Sequence, residues 1–133
     1  MRFYICKHCG NLAGLIDNKG VPMVCCGEKM AELVPNTVEA SVEKHLPVVK
    51  KADECACGCT CGSALTIEVG SAAHPMLEEH HIGFIYIETE NGGKRHRLNV
   101  GQEPVIKVCC CDDAPVAVYA WCNLHGLWKT AIN

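Results

Sequence analysis

The sequence predicts a mainly β protein in two parts, a small metal-binding module over residues 1–36 and an antiparallel β-sandwich over residues 37–133. Three observations support this prediction. The chain has 133 residues, of which 49% are hydrophobic and 20% charged, so most of it can bury a core. Its first part is rich in cysteine and glycine but poor in large apolar side chains. Its second part contains short strand-like runs and no long amphipathic helical pattern.

The first 35 residues carry four cysteines and four glycines. A segment with so few large apolar side chains cannot be held together by burial alone, so a metal ion is the expected source of its stability. Pro35 and Asn36 then break the chain before a different composition begins. We therefore place the module boundary after residue 36.

Short β-rich runs follow in the second part, at residues 64–69, 84–90, 104–110 and 115–122. In the first of these runs, the apolar side chains of Leu65, Ile67 and Val69 alternate with polar ones, which is typical of a half-buried strand. The sequence Asn91-Gly92-Gly93 is a turn signal between two of the runs. Short strands separated by turns favour an antiparallel sandwich.

Charge and hydropathy exclude several classes of protein. The formal net charge is -3 and the pI is about 6.1, so no global positive field favours nucleic acid. No apolar run approaches the roughly 18 residues that span a bilayer. Lys7, His8 and Cys9 interrupt the start of the chain, which therefore lacks the apolar core of a signal peptide. We expect a soluble, cytoplasmic protein with no nucleic-acid or membrane partner.

The most unusual feature of the composition is its high number of cysteines, twelve in 133 residues. A secreted disulfide scaffold would explain an even number, but the clustering of the cysteines and the seven histidines favour metal ligation. Cys6 and Cys9 lie across a tight turn, and Cys25 and Cys26 form a second, adjacent pair. Four thiolates predict a closed site for structure or electron transfer, and spacing alone leaves zinc and iron open.

Three histidine clusters predict a second metal site. His45 lies in EKHLP, His74 and His80 lie in HPMLEEH, and Cys122 and His125 lie in CNLHGLWK. Cys122 and His125 are three residues apart, so one turn can direct both side chains to one ion. Four imidazoles and one thiolate would leave one position open on a six-coordinate ion, as a catalytic metal requires.

These motifs, in this order and spacing over nearly the whole chain, closely resemble the desulfoferrodoxins, the two-iron superoxide reductases. The resemblance implies two irons per chain, an Fe(Cys)4 centre and a His4Cys centre. It implies Cys6, Cys9, Cys25 and Cys26 as ligands of the first, His45, His74, His80 and His125 as equatorial ligands of the second, and Cys122 as its axial thiolate. Glu43 would occupy the remaining position in the resting oxidised state, and Lys44 would lie beside the open face and attract superoxide.

The resemblance also implies a fold, a desulforedoxin-like module followed by an immunoglobulin-like antiparallel β-sandwich. The implied activity is the one-electron reduction of superoxide to hydrogen peroxide. The implied partners are a rubredoxin-like electron donor and a second copy of the chain in a homodimer. A non-catalytic metal-binding or electron-transfer protein, with zinc in the histidine site, is the alternative.

The chain departs from the family pattern at His81, where an aromatic residue is common. We assign His80 as the ligand because it keeps the six-residue step from His74, and His81 as a neighbouring or exposed residue. His96 lies in a run that we interpret as a basic surface turn. Trp128 is expected to pack over the site or in the core.

Seven further cysteines have no counterpart in the family pattern, at positions 55, 57, 59, 61, 109, 110 and 111. They could form a supplementary metal site or a redox-active store, or replace apolar strand residues. The last interpretation fits residues 109–111 best, because a cysteine can behave as a small hydrophobe. For Cys55, Cys57, Cys59 and Cys61 we favour a loop with no part in catalysis over a third metal site.

Overall fold

A computed structural model of the chain describes residues 1–52, 58, 63–111 and 113–133. These residues divide into two compact units, Met1–Pro35 and Asn36–Asn133. The four cysteines at positions 55, 57, 59 and 61 lie outside the described residues, and so does the prediction made for them. Among the residues described, no helix has the length and apolarity that crossing a membrane would take.

The first unit is made of short antiparallel strands. They are β1 (Arg2–Ile5), β2 (Leu12–Leu15), β3 (Val24–Cys25), β4 (Glu28–Lys29) and β5 (Ala31–Glu32). A three-stranded sheet has the order β2-β1-β5, and β3 and β4 form a separate hairpin. Phe3 and Cys6 are the buried hydrophobic residues of this unit. So small a core is consistent with a module that depends on a metal ion.

The second unit has a short helix and seven strands in its described part. They are α1 (Val42–His45), β6 (Pro47–Lys51), β7 (Ala64–Val69), β8 (Ile82–Thr89), β9 (Gly93–Arg97), β10 (Val105–Cys109), β11 (Pro115–Cys122) and β12 (Gly126–Ala131). One sheet has the order β10-β7-β6 and the other the order β12-β11-β8-β9. All of the strand pairs are antiparallel.

The two sheets of this unit share one hydrophobic core. Leu65, Ile67 and Val69 of β7 are buried, whereas the side chains between them are half-buried, as the alternation predicted. They join Ile85 and Ile87 of β8 in a single buried cluster. Burying a side chain of this size contributes about 1.5–3 kcal/mol. The predicted mainly β fold with antiparallel sheets is confirmed.

Three of the seven strands described in the second unit are not predicted by the sequence, and one of them corrects the interpretation of His96. The basic run around His96 is not a turn but strand β9, in which His96 pairs with Ile85 of β8. The sequence contains no apolar alternation there because β9 lies at the edge of its sheet. Charged side chains on an edge strand also discourage pairing with other chains. Strands β6 and β12 were the other omissions.

The run of three cysteines at residues 109–111 is only partly a replacement for apolar residues. Cys110 belongs to the buried core, with 3% of its surface exposed. Cys109 ends β10 and is half-buried, and Cys111 is exposed. The prediction therefore holds for Cys110 alone.

Candidate metal centres

The first pair of cysteines in the amino-terminal unit is carried by a turn that follows β1. The Gly10 amide donates to the Cys6 carbonyl, and the Cys6 amide donates to the Asn11 carbonyl, both at 2.9 Å. Gly10 has a φ of 77°, a left-handed conformation that favours glycine. These two bonds fold the segment back on itself, so that Cys6 and Cys9 face the same space.

The second pair is carried by the hairpin of β3 and β4. Its two central residues, Cys26 and Gly27, have φ values of 52° and 76°. Positive φ at both positions is the mark of a type I′ turn. The left-handed conformation of Cys26 directs its side chain toward that of Cys25, with 4.0 Å between the two sulfurs. This conformation explains how adjacent cysteines can bind one ion.

The four sulfurs of Cys6, Cys9, Cys25 and Cys26 lie within 4.8 Å of one another. The Cys9 backbone amide is the largest cause that lowers the pKa of Cys6, to about 6. Hydrogen bonds with Cys9 and Cys6 raise the pKa of Cys26 to about 12, and they also raise the pKa of Cys25. Negative sulfurs so close together repel one another, and a cation removes that repulsion. The group therefore fits a tetrahedral thiolate metal site.

Four imidazoles of the second unit surround a common centre, and this arrangement of His45, His74, His80 and His125 is called the histidine ring below. Neighbouring centroids are 4.7 Å apart from His45 to His74, 4.5 Å from His74 to His80, 5.0 Å from His80 to His125 and 4.8 Å from His125 to His45. The diagonal from His45 to His80 is 6.1 Å. The midpoint of this diagonal lies about 3 Å from both centroids. Because a ring nitrogen that faces the midpoint lies closer to it than the centroid does, this spacing suits a metal–nitrogen bond of about 2.0–2.1 Å.

Backbone carbonyls orient two of these rings. Nδ1 of His45 lies 2.7 Å from the Ser41 carbonyl, and Nδ1 of His74 lies 2.6 Å from the Pro75 carbonyl. A carbonyl accepts a hydrogen bond from Nδ1–H, which leaves Nε2 as the atom that can bind a metal. Among the described residues, Nε2 of His74 and Nε2 of His80 are buried without a hydrogen-bond partner. Unsatisfied buried nitrogens are costly, and a metal ion would satisfy them.

Cys122 is fully buried at the end of β11, at an irregularity in its pairing with β8. Its sulfur is 3.7 Å from Nδ1 of His125, and that nitrogen is 3.0 Å from Nε2 of His45. Ligand atoms of Cys122, His45, His74 and His80 lie within 4.8 Å of one another. Burial raises the pKa of Cys122, so the thiol keeps its proton unless a cation compensates.

Gly70 lets two segments of the site approach each other closely. Its φ is 84°, and a Cβ here would lie 2.7 Å from the Lys44 carbonyl and 2.8 Å from the Glu43 carbonyl. The amide of Ala72 donates to the Glu43 carbonyl at 3.1 Å. These contacts place the loop that carries His74 against helix α1, which ends at His45.

Trp128 and Asn123 help to hold the site, and of the two the sequence indicates a role only for Trp128. It is 2% exposed, stacks on His45 at 5.0 Å and donates from Nε1 to the His125 carbonyl at 3.1 Å, so it packs over the site, as expected. Asn123 was given no role, yet Oδ1 accepts a bond from the His81 amide and Nδ2 donates to the Glu79 carbonyl. These bonds link the loop of His80 to the turn of Cys122. The sequence indicates the role of Asn123 only through its position within the CNLHGLWK motif.

The remaining candidates lie around the histidine ring. Glu43 and Lys44 are exposed on α1, directly before His45. The positive charge of Lys44 is one of the smaller causes, after burial, that lower the pKa of His45 and His80. The carboxylate of Glu43 is exposed, and its backbone carbonyl makes the contacts described above. His81 turns away, with Nδ1 3.0 Å from the Leu77 carbonyl.

Burial makes the metal-free site sensitive to acid. It is the largest cause that lowers the pKa of His45, His74 and His80 from 6.5, to about 4 for His74. The unfolded chain therefore binds more protons than the folded one below pH 6.5, and stability falls as the pH falls toward 4.

We expect the free energy of unfolding of metal-free protein to be lower at pH 5 than at pH 7. Urea unfolding followed by tryptophan fluorescence measures it, because both tryptophans, Trp121 and Trp128, lie in the second unit. His74→Gln should weaken this pH dependence, because it removes the most strongly shifted imidazole. Equal stability at the two pH values would contradict the prediction.

Comparison with known proteins adds independent information. The family model described as Desulfoferrodoxin matches residues 37–131. The desulfoferrodoxin of Syntrophotalea carbinolica is 35% identical over 98% of this chain and 95% of its own length. That of Nitratidesulfovibrio vulgaris is 36% identical over 95% and 92%. The crystal structure of the superoxide reductase from Treponema pallidum is similar with a TM-score of 0.74, at 30% identity over 96% of this chain and 98% of that one.

Proposed function

This chain belongs to the desulfoferrodoxin family, and on that premise we propose that it is a superoxide reductase. The proposed reaction is the one-electron reduction of superoxide to hydrogen peroxide at an iron in the histidine ring. One observation carries the proposal: four imidazoles surround a single point beside a buried thiol. The similarity to the superoxide reductase from Treponema pallidum supports it.

The ligands that we propose follow from the atoms that face one another. His45, His74 and His80 would bind through Nε2, and His125 would bind through Nδ1, the nitrogen that faces His45 and Cys122. The Cys122 sulfur would be the fifth ligand. In the first unit, Cys6, Cys9, Cys25 and Cys26 would hold a second iron. Burial keeps the imidazoles neutral, which is the form that binds metal.

When bound, the iron supplies the electron that superoxide accepts. The protein supplies access, charge and orientation. Lys44 is exposed beside the site, and its positive charge would attract a small anion despite the net charge of -3. Glu43 is exposed next to it, and its carboxylate would help to displace the product once superoxide has been reduced. Trp128 and Asn123 would keep the ligands oriented.

Four sulfur ligands would fill the coordination of the four-cysteine centre and leave no position for substrate. Its iron would therefore transfer electrons, one at a time, through the Fe(III)/Fe(II) couple. A rubredoxin-like protein would be the donor. The protein would act in the cytoplasm as a homodimer.

Product stoichiometry tests the proposed reaction. Iron-loaded protein with a reduced rubredoxin-type donor should form one hydrogen peroxide per superoxide consumed, without evolving oxygen. Zinc-loaded protein is the control, since zinc has no redox chemistry. Evolution of oxygen would indicate dismutation instead. Equal rates with zinc, or no reaction with iron at full occupancy, would favour the non-catalytic alternative.

Lys44→Ala should slow the bimolecular reaction with superoxide by several-fold at low ionic strength, on the order of 3- to 10-fold. The rate should also depend less on salt, because one attractive charge has been removed. Pulse radiolysis over a range of salt concentrations measures both effects. Lys107→Ala, which removes the same charge from an exposed position on β10, is the matched control.

Glu43→Ala separates the two roles on α1. This variant should keep the rate of encounter and change only the later step in which product leaves. An unchanged encounter rate in Lys44→Ala would contradict the steering role. An equal slowing in both variants would contradict the division of roles.

A further inference from the structure

A second group of thiols lies outside both proposed metal sites. The sulfurs of Cys109 and Cys111 are 2.8 Å apart. Cys109 is the last residue of β10, and the chain then turns, with the Asp113 amide donating to the Cys110 carbonyl at 3.3 Å. Side chains two apart in an extended chain point to the same side, and the turn brings these two together. Cys110 points the other way, into the core.

The pair opens onto solvent through a cavity of about 390 Å³, which Cys109 and Cys111 line together with Lys94 and Asp113. Cys111 is exposed and Cys109 is half-buried, so a small molecule can reach both. Nζ of Lys94 donates to the Cys109 carbonyl at 2.8 Å, and Asp113 lines the same cavity, so charged side chains of both signs flank the pair. The thiolate is the form of cysteine that reacts.

The turn that carries the pair is held in place from both sides. The Asp113 carboxylate accepts bonds from Oγ1 of Thr89 at 2.6 Å and from the Asn91 amide at 3.0 Å. The Cys110 amide donates to the Ser63 carbonyl at 3.2 Å. A disulfide needs its sulfurs at about 2.05 Å and its Cα atoms within about 7 Å. The two sulfurs, at 2.8 Å, are within about 0.8 Å of that bond length.

We propose that Cys109 and Cys111 form a dithiol site that reduces hydrogen peroxide to water and is itself oxidised to a disulfide. The inference rests on the proposed function only for the source of its oxidant, since peroxide is the product of superoxide reduction. An exposed thiol with a second thiol 2.8 Å away has the arrangement of a peroxide-reactive cysteine and its resolving partner.

Two displacements balance the reaction. The Cys111 thiolate attacks one peroxide oxygen, so that an S–O bond forms, the O–O bond breaks and the departing hydroxide takes a proton to become water. The Cys109 thiolate then attacks the Cys111 sulfur, so that an S–S bond forms, the S–O bond breaks and a second water leaves. The two sulfurs give up two electrons, and the two thiol protons end in the two waters. A dithiol reductant would restore the site.

Added hydrogen peroxide tests the site in the iron-loaded full chain. After treatment, remaining thiols are alkylated in denaturant and peptides are mapped by mass spectrometry. We expect Cys109 and Cys111 to be joined to each other, with Cys110 of the same peptide still alkylated. In Cys109→Ser, Cys111 should stop at the sulfenic acid, which a dione reagent traps. Cys111→Ser should leave Cys109 alkylated.

Cys110→Ser is the matched variant, because it removes a neighbouring thiol from the core while leaving the pair intact. It should still form the disulfide, and the peptide map of the unaltered chain tests the inference if this variant does not fold. Persistence of both thiols at Cys109 and Cys111, or a crosslink from either to another cysteine, would overturn the inference.

Superoxide reduction is assayed on the same samples. Disulfide formation without superoxide reduction would overturn the proposed function alone, and the reverse result would overturn the dithiol site alone.

Discussion

Cys122→Ser is expected to abolish superoxide reduction while leaving the visible absorption of the four-cysteine centre unchanged. Cys122 is the buried thiol nearest the histidine ring, and serine replaces its sulfur with a harder, less electron-donating oxygen. Losing a group that only supports a ligand typically costs 10–100-fold, so losing the ligand itself should cost more than about 100-fold. Steady-state superoxide consumption and an absorption spectrum measure the two effects.

The matched control is Cys110→Ser, which makes the same change at another buried thiol of the same core. Both variants place a more polar hydroxyl at a buried position, where polar groups are costly, so both should unfold more easily. Only Cys122→Ser should lose activity. Activity like that of the unaltered chain in a folded Cys122→Ser variant would refute the axial-ligand assignment.

Cys9→Ser should remove the absorption of the four-cysteine centre and leave the reaction of the other iron with superoxide within about twofold of normal. The four sulfurs lie in Met1–Pro35, and every proposed ligand of the second site lies in Asn36–Asn133. The first unit has a small core, so losing its metal should destabilise it. Steady-state turnover with a protein donor should fall, because the proposed electron path is broken.

The decisive measurement is a single turnover of the chemically reduced protein with superoxide, which bypasses the donor. Cys111→Ser serves as the control, since it also changes an exposed cysteine but lies outside both centres. Loss of the single-turnover reaction in Cys9→Ser, with the second unit still folded, would mean that the two centres depend on each other.

The local sequence pattern predicted four of the seven strands described in the second unit, namely β7, β8, β10 and β11. The bounds of β7 and β11 are those that alternation and β-propensity predicted, because most side chains of both strands are buried in the core. The edge strand β9 was missed for the opposite reason. Lys94, Arg95 and Arg97 are exposed and charged, so the strand shows no hydrophobic alternation from which its pairing with β8 could be predicted.

The sequence also predicted which types of side chain would bind metal. Thiol and imidazole groups in short, turn-compatible spacings predict metal binding because few other arrangements would bring so many such groups together. The sequence could not show how adjacent Cys25 and Cys26 share one site. That depends on the left-handed conformation of Cys26, which follows from the type I′ turn.

The sequence by itself determined the family, the class of fold and the chemical groups available for the two centres. The order of the histidines around their ring, the nitrogen that each presents and the support from Trp128 were decided only by the tertiary structure. His45 and His125 are 80 residues apart, yet their ring nitrogens approach to 3.0 Å. Packing of the sheets and the close approach at Gly70 bring such distant segments together. Local sequence specifies which groups are present, whereas long-range packing specifies which atoms meet.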